Sequence, residues 1–166
     1  MNPRSQALLD AVRSRVVIAD GAMGTMIQDA APTLEDFQNY EGCNEILNVT
    51  RPELIASIHA QYLKAGAEAI ETNTFGANFA NLAEYDIVER VYELARAGAE
   101  VARGIADDFS TDEKPRWVLG SLGPGTKLPS LGHEKFSVLR DAYQDAAKGL
   151  IDGGADAILI ETVQDL

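Results

Sequence analysis

An internal repeat constrains the fold of this chain more than any other feature of its 166 residues. Residues 66–75 and 154–163 align with each other without gaps, and each segment follows a helical pattern. Both consist of a glycine that ends the helix, a short apolar run and a polar tip. Similar apolar runs occur at 16–19 and 117–120. Short continuous apolar runs are typical of strands buried on both faces, as the strands of parallel sheets are. The four runs together therefore predict a parallel sheet of four strands.

Helical patterns separate the four predicted strands. Thr50 and Glu53 have the spacing of a capping box, and the helix that they open ends at Gly66. The apolar stripe predicted for this helix consists of Leu54, Ile58, Tyr62 and Ala65. Second and third helices are predicted over about 86–107 and 134–152. Strand and helix alternate along the chain, which indicates the α/β class.

Alternating units of this kind leave two architectures open, a doubly wound sheet or a (β/α)8 barrel. In both, polar groups at the C-terminal ends of the strands form the binding site. The polar tips after the four predicted strands are Asp20 with Gly21, Asn73 with Thr74 and Phe75, residues 121–125, and Glu161 with Thr162. We expect these tips to meet as the rim of a binding site.

Two acidic residues at these tips point to a ligand that carries a positive charge. Asp20 opens a glycine-rich segment in which backbone N–H groups can approach a ligand carboxylate while Asp20 faces a cation. Glu161, at the end of the last strand, also needs a cation, a metal or a proton. Together they suit the ammonium of an amino acid. The alternatives are an Asx turn for Asp20 and an Arg or Lys partner for Glu161.

The glycine-rich segment 120–127 contains the spacing G-x-x-x-x-G. A phosphate-binding loop continues with Gly-Lys-Ser/Thr, whereas this segment continues with Gly-Thr-Lys and no helix is predicted there. We interpret it as a rim loop in which Gly123 and Gly125, on either side of Pro124, allow close backbone approach. A phosphate-binding barrel enzyme that uses this loop remains an alternative.

The sequence has one cysteine and two histidines. A single cysteine excludes an internal disulfide, and these three residues cannot alone supply a structural zinc site. Cys43 lies in a polar segment with no histidine nearby, so a catalytic role is not expected. His59, at the edge of the apolar stripe, is predicted to be a partly exposed structural residue, and His133 a capping or loop residue.

Charge and hydropathy exclude several classes of partner. The chain carries 14 Lys and Arg against 26 Asp and Glu, a net charge of −12, which disfavours nucleic acid and anionic membrane surfaces. Its apolar runs are far shorter than the roughly 18 residues that a membrane span requires. The N-terminal residues have no signal-peptide pattern. We therefore expect a cytoplasmic protein.

Five ordered motifs together resemble the homocysteine S-methyltransferase domain. They are the segments 20–25, 41–45, 68–78, 120–125 and 153–162. The resemblance covers nearly the whole chain and is strongest to the N-terminal module of cobalamin-dependent methionine synthases. Betaine-dependent enzymes share the strand-end motifs and remain an alternative.

The resemblance implies a (β/α)8 TIM barrel that binds homocysteine at its C-terminal face and ligates the thiol to zinc. The metal lowers the pKa of the thiol, and the thiolate attacks a methyl group delivered by methylcobalamin to form methionine. The substrate-site residues that it implies are Asp20 and Glu161 for the ammonium, Gly21 and Ala22 for backbone contacts, and Asn73 and Thr74 for the pocket wall.

The sequence departs from the family at the metal site. The family's three zinc-binding cysteines lie in an Asn-Cys and a Gly-Gly-Cys-Cys motif, and this sequence contains neither. We therefore expect residues 1–166 to form the first four βα units, without the final helix, as one domain with no internal boundary. We expect no catalytic residue, metal site or bound cofactor in it, and no activity of the chain alone.

The partners implied are homocysteine, the C-terminal half of the barrel, and folate- and cobalamin-binding modules. A non-catalytic half barrel, which serves binding or assembly, is the alternative from a different functional class.

Overall fold

The computed structural model describes residues 2–164, and a parallel sheet lies at its centre. Its strands are β1 (Ala69–Glu71), β2 (Trp117–Leu122) and β3 (Ala157–Ile160), paired in the order β1-β2-β3. Ile70 pairs with Val118, and Leu119 pairs with Ala157. The predicted parallel sheet and three of its four strands are therefore confirmed.

The remaining predicted strand, residues 16–19, which is the first along the chain, is reduced to one isolated bridge between Ala19 and Ala69. The segment still runs parallel to β1, because the carbonyl of Ile18 accepts a hydrogen bond from Ala69 N at 3.2 Å. Val16 is 83% exposed and Ile18 58% exposed. The prediction of a strand buried on both faces is wrong here, since the segment lies at the edge of the sheet.

Seven α-helices are described within residues 2–164. They are α1 (Pro3–Ser14), α2 (Met23–Asp29), α3 (Leu47–Thr50), α4 (Pro52–Ala65), α5 (Phe79–Ala83), α6 (Val91–Phe109) and α7 (Phe136–Asp152). The predicted helices correspond to α4, α6 and α7. Helix α6 begins later than predicted, because Asp86 has a positive φ of 57° and a 3-10 turn, Val88–Arg90, precedes the helix.

The capping box predicted for α4 is wrong. Thr50 is the last residue of α3, and its hydroxyl donates to the carbonyl oxygens of Asp36 at 2.7 Å and Ile46 at 3.1 Å. Arg51 occupies the N-cap position without a capping side-chain hydrogen bond. The predicted end of the helix is confirmed, because Gly66 adopts a φ of +115° that favours glycine.

The buried face of α4 is rotated from the predicted stripe. Its buried residues are Ile55, Ile58, His59 and Leu63. The prediction of a partly exposed His59 is therefore wrong, since the residue is 0% exposed. Neither ring nitrogen has a hydrogen-bond partner among the described residues, and burial lowers the pKa of His59 to about 4.

Helices α6 and α7 pack closely against each other on one face of the sheet. Two glycines permit this approach, Gly149 within α7 and Gly153 directly after it. A Cβ on Gly149 would lie 2.6 Å from the carbonyl oxygen of Tyr92, and one on Gly153 would lie 2.5 Å from that of Arg96. Leu150, between them, is fully buried in the core. Both helices also pack against β2.

The two halves of the sequence repeat use an acidic residue in the same way. The buried carboxylate of Asp156 accepts hydrogen bonds from Val118 N at 2.9 Å and from Arg103 at 2.8 Å. Glu68, its counterpart in the repeat, accepts from Ile18 N at 3.3 Å. Each residue thus joins the start of its own strand to the preceding strand.

No helix within 2–164 is long and apolar enough to cross a membrane.

Candidate functional site

A cavity of about 420 Å³ opens where the strands end. Its lining residues are Gly21, Ala22, Met23, Gly24, Asn44, Glu45, Glu71, Thr72, Asn73, Thr74, Phe75, Ser121 and Glu161. The segments that follow residues 16–19, β1 and β3 contribute to this wall, and so does Ser121 near the end of β2. The structure thus brings residues from all four polar tips to one place.

Asp20 is anchored to the neighbouring strand. Both of its carboxylate oxygens accept a hydrogen bond from Glu71 N, at 3.0 and 3.1 Å. Burial raises the pKa of Asp20 to about 7, and the nearby Glu71 carboxylate contributes in the same direction. The hydrogen bond from Glu71 N opposes this rise. The pKa of Asp20 therefore lies well above that of an ordinary carboxyl group.

Glu71 is a site residue that sequence reasoning missed, because the repeat aligns it with apolar Leu159. It is the last residue of β1 and lines the cavity. Its carboxylate has no hydrogen bond or ion pair to any described residue. Burial, followed by the Glu161 carboxylate, raises the pKa of Glu71. Its position two residues before the polar tip 73–75 was the signal that could have identified it.

Glu161 follows β3, the last strand along the chain, and lines the cavity. Its Oε1 accepts a hydrogen bond from the hydroxyl of Ser121, at 2.5 Å. Ser121 is buried within β2, which fixes the position of the hydroxyl. Within residues 2–164, no Arg or Lys forms an ion pair with Glu161.

Asn73 and Thr74 are buried in the cavity wall, and their side chains are used internally. The amide of Asn73 donates to the carbonyl of Asn44 at 2.8 Å and to Oδ1 of Asn48 at 3.0 Å. The hydroxyl of Thr74 donates to the carbonyl of Ser121 at 2.7 Å. Both residues therefore hold neighbouring segments in register around the cavity.

Gly21 and Ala22 line the cavity just before α2. The hydroxyl of Tyr62, on α4, donates to the carbonyl of Ala22 at 2.8 Å. A Cβ on Gly21 would lie 3.3 Å from the Tyr62 ring. Tyr62 thus fixes the backbone of Gly21 and Ala22, and the same two residues line the cavity.

Beyond Ser121, the rim loop borders a second, largely apolar cavity of about 480 Å³ rather than the first. Gly123 and Pro124 line this second cavity, and Gly125 has a φ of +64°. A Cβ on Gly123 would lie 2.3 Å from the carbonyl oxygen of Phe75. The close backbone approach at Gly123 is therefore made to the β1 tip itself.

Cys43 and His133 occupy structural positions. The Cys43 thiol is 1% exposed, and its pKa is raised to about 12 by burial and by Glu45. The Glu45 carboxylate is also buried and accepts a hydrogen bond from Gly76 N at 2.7 Å. His133 is exposed, and its Nδ1 accepts from Leu128 N at 3.3 Å, which confirms the predicted loop role.

The cavity is acidic. Glu45, Glu71 and Glu161 line it, Asp20 adjoins it through Glu71, and its lining within the described chain includes no Lys, Arg or His. Carboxylates removed from water favour a cationic partner or a proton. The arrangement therefore suits a small ligand that carries a positive charge.

A sequence model described as Homocysteine S-methyltransferase matches residues 17–166. The chain belongs to this family. It is 57% identical over 159 residues to the methionine synthase of Mycobacterium tuberculosis and 55% identical to that of Mycobacterium leprae. Each match covers 96% of this chain but 13% of the relative, so the chain spans about an eighth of their length.

The homocysteine S-methyltransferase assignment agrees with the fold. The homocysteine methyltransferase MmuM from Escherichia coli superposes with a TM-score of 0.74 in its metallated form and 0.73 in its oxidised form. The identities are 24% and 23%, and about 58% of the MmuM chain is covered in each case. The similarity shows a shared α/β fold with a parallel sheet.

The residues of this homocysteine S-methyltransferase chain do not fit the zinc ion that the sequence resemblance implies. Cys43 is the only cysteine, and its buried thiol beside Glu45 resists ionisation. Residues 2–164 contain no group of three or more His, Cys, Asp or Glu side chains placed to hold a metal ion. The zinc site that the resemblance implies is formed by three cysteine thiolates, which these residues do not provide.

Proposed function

We propose that this chain is the homocysteine-binding portion of a methionine synthase. The whole enzyme would transfer a methyl group from methylcobalamin to the homocysteine thiolate and form methionine. The acidic cavity at the strand ends carries the proposal, because it offers carboxylates and no basic side chain to an amino acid's ammonium. Family membership and two methionine synthases above 50% identity favour this reaction over a betaine-dependent one.

We assign a role to each substrate-site residue. Asp20 and Glu161 would bind the ammonium, one anchored by Glu71 N and the other by Ser121. Gly21 and Ala22 would contact the substrate through their backbone. Buried Asn73 and Thr74 would shape the wall without rearranging, because their hydrogen bonds are already satisfied by neighbouring segments.

We place residues 1–166 in the N-terminal part of a (β/α)8 barrel, as one domain of four βα units. The sequential parallel order of residues 16–19, β1, β2 and β3 supports this placement. So does the match to 58% of the MmuM chain. The remaining barrel units and the folate- and cobalamin-binding modules would be its partners.

Zinc and cobalamin would act through those partners rather than through this chain. The chain alone would then bind homocysteine without transferring a methyl group. Metal analysis after incubation with excess zinc and exhaustive dialysis tests this directly. We expect substoichiometric zinc, and one tightly held zinc ion per chain would overturn the assignment.

Isothermal titration with homocysteine tests the substrate site. We expect Glu161→Gln to weaken binding roughly 10- to 100-fold, as for loss of a charge-assisted hydrogen bond of about 1.5–3 kcal/mol. The matched control is Glu113→Gln, at an exposed loop position away from the cavity. 4-Mercaptobutyrate, which lacks the ammonium, should not compete. An unchanged dissociation constant in Glu161→Gln would refute the role of this carboxylate.

A role in assembly is a second candidate, and an apolar surface beside β3 favours it. Ile160 is 67% exposed and Val163 49% exposed, and both line the second cavity. The outer edge of β3 has no strand partner within residues 2–164. Size-exclusion chromatography with light scattering separates the two functions, because a stable dimer without affinity for homocysteine would favour assembly.

A further inference from the structure

A group of buried hydroxyls joins the end of β1 to β2. Thr72, Thr74 and Ser121 are each no more than 4% exposed. Thr72 N donates to the Leu119 carbonyl at 3.0 Å, which is the last backbone hydrogen bond between these two strands within residues 2–164. Beyond this point the β1 backbone turns on itself, because Thr74 N donates to the Thr72 carbonyl at 2.9 Å. Side chains make the further hydrogen bonds between the two strand ends.

The direction of each hydrogen bond in this group follows from the atoms present. The Thr74 hydroxyl lies 2.7 Å from the Ser121 carbonyl, which can only accept, so Thr74 is the donor there. Because a hydroxyl has one proton, Thr74 must accept from the Thr72 hydroxyl, 2.6 Å away. Thr72 in turn accepts from Ser121 N at 3.0 Å. The three bonds form a closed ring that begins and ends on the backbone of Ser121.

This hydroxyl ring leaves its members little freedom. A buried backbone N–H or carbonyl without a partner is destabilising, and the ring satisfies both backbone groups of Ser121. Threonine is stiff about its first side-chain torsion. Thr74 is also fixed sterically, since a Cβ on Gly98 of α6 would lie 2.6 Å from its methyl group. The backbone of Ser121 is therefore held at two points from the side of β1.

The hydroxyl of Ser121 is not part of the ring and donates to Oε1 of Glu161, at 2.5 Å. The other carboxylate oxygen, Oε2, forms no hydrogen bond or ion pair with any residue of the range 2–164. Ser121 and Glu161 both line the acidic cavity, and the described lining contains no Lys, Arg or His. A charged donor that enters the cavity would therefore find one oxygen of Glu161 in use and the other available.

We propose that Thr72 and Ser121 are positioning residues of the ammonium site. The hydroxyl ring fixes Ser121, the Ser121 hydroxyl occupies Oε1 of Glu161, and Oε2 is left to accept the hydrogen bond from the substrate's ammonium. Neither positioning residue has to contact the ammonium for this effect. Glu161 is held in one orientation before the substrate arrives, so less side-chain freedom is lost on binding. This inference rests on the proposed homocysteine-binding function.

Two substitutions break the arrangement at different points. Ser121→Ala removes the donor to Glu161 and leaves the ring intact, because the ring uses only the backbone of Ser121. Thr72→Val breaks the ring and keeps the Ser121 hydroxyl. In isothermal titration each should weaken homocysteine binding roughly 3- to 10-fold, as for loss of one hydrogen bond. Thr72→Ser keeps the ring hydroxyl and should bind homocysteine like the wild type.

Thr50→Val is the matched control, because its hydroxyl also donates to two carbonyl oxygens, those of Asp36 and Ile46, but lies outside the cavity lining. Urea unfolding first establishes that each variant is folded, and Thr50→Val should leave the dissociation constant unchanged. If Thr72→Val does not fold, Ser121→Ala decides, because it keeps every hydrogen bond of the ring. Unchanged binding in Ser121→Ala would overturn the inference, as would equal losses in Thr72→Ser and Thr72→Val.

A measurement without ligand separates this inference from the proposed function. The carbon-13 signal of the Glu161 carboxyl, assigned by its absence in Glu161→Gln, reports the hydrogen bond from Ser121. Ser121→Ala and Thr72→Val should shift it in the same direction, and Thr72→Ser and Thr50→Val should not shift it. If these shifts are observed but the folded wild type binds no homocysteine, the proposed function fails while the positioning of Glu161 stands. If neither substitution moves the signal, the inference fails whether or not homocysteine binds.

Discussion

Replacement of His59 by leucine should make the folded chain markedly more resistant to mild acid. The imidazole is 0% exposed, its two nitrogens have no partners among the described residues, and its pKa in the folded chain is about 4. In the unfolded chain the histidine titrates near 6.5. As the pH falls below 6.5, the unfolded state gains a proton that the folded state cannot bind, so the free energy of unfolding decreases.

The magnitude follows from the interval between the two pKa values. Stability associated with neutral His59 is fully present above pH 6.5 and is lost as the pH falls to about 4. At about 1.4 kcal/mol per pH unit, the total loss is about 3 kcal/mol. His59→Leu should avoid this loss. It should also be more stable at pH 8 by about 1–3 kcal/mol, because no buried nitrogen is left unpaired.

Urea unfolding between pH 4.5 and 8, followed by the fluorescence of the buried Trp117, measures this difference. Other buried groups, such as Glu45, titrate in both proteins and cancel when the variant is compared with the wild type. His133→Leu removes the other histidine at an exposed position and is the matched control. If the stability profiles of the His59 and His133 variants run parallel to each other, the argument from burial is refuted.

The remaining predictions concern packing and buried charge, and urea unfolding measures each of them. Asp156→Ala should lose about 3–5 kcal/mol, because Arg103 loses its buried carboxylate and keeps only the exposed Asp107, and because Val118 N loses its acceptor. Asp145→Ala on the exposed face of α7 should change stability by less than about 0.5 kcal/mol. Equal losses would contradict this account. Gly98→Ala should cost about 1–3 kcal/mol, because its Cβ would meet two side chains at 2.6 and 2.7 Å. Gly104→Ala in the same helix, with nothing within 4 Å, should instead gain up to about 1 kcal/mol, and a shared sign for the two variants would refute the steric argument.

Much of the fold could be predicted from local patterns. The apolar runs identified β1, β2 and β3, and Gly66 identified the end of α4, because a left-handed residue is encoded locally. The start of α4 could not be predicted in this way. The hydroxyl of Thr50 is used by the carbonyl of Asp36, a tertiary contact that competes with capping and leaves no trace in the spacing.

The buried face of α4 illustrates a second limit. Periodicity selected Tyr62 and excluded His59, because an aromatic residue scores as apolar and an imidazole as polar. In the structure the Tyr62 hydroxyl is directed to the Ala22 carbonyl, and His59 lies inside without a partner. Sequence patterns report average preferences, whereas this helix is rotated by its packing against α6 and β1.

The candidate site was predictable where strand ends carry polar residues, but not where a residue's role depends on its neighbours. Asp20 and Glu161 were selected by their positions after apolar runs. Glu71 could not be identified from the sequence, because the repeat aligns it with Leu159 and only the structure reveals that its N–H donates to Asp20. Equivalent positions in a repeat share a backbone geometry and need not share a chemistry.

The anchoring of Asp20 on Glu71 N also makes the proposed ammonium site depend on the pairing of β1 with β2. From the bridged segment 16–19 to β3 there are three strand steps, which amount to about 14 Å along a flat sheet. The two carboxylates are nevertheless anchored on neighbouring strands, because Asp20 is held at Glu71 of β1 and Glu161 at Ser121 of β2. A substitution elsewhere that alters the β1–β2 pairing should therefore weaken the proposed binding without altering Asp20 or Glu161.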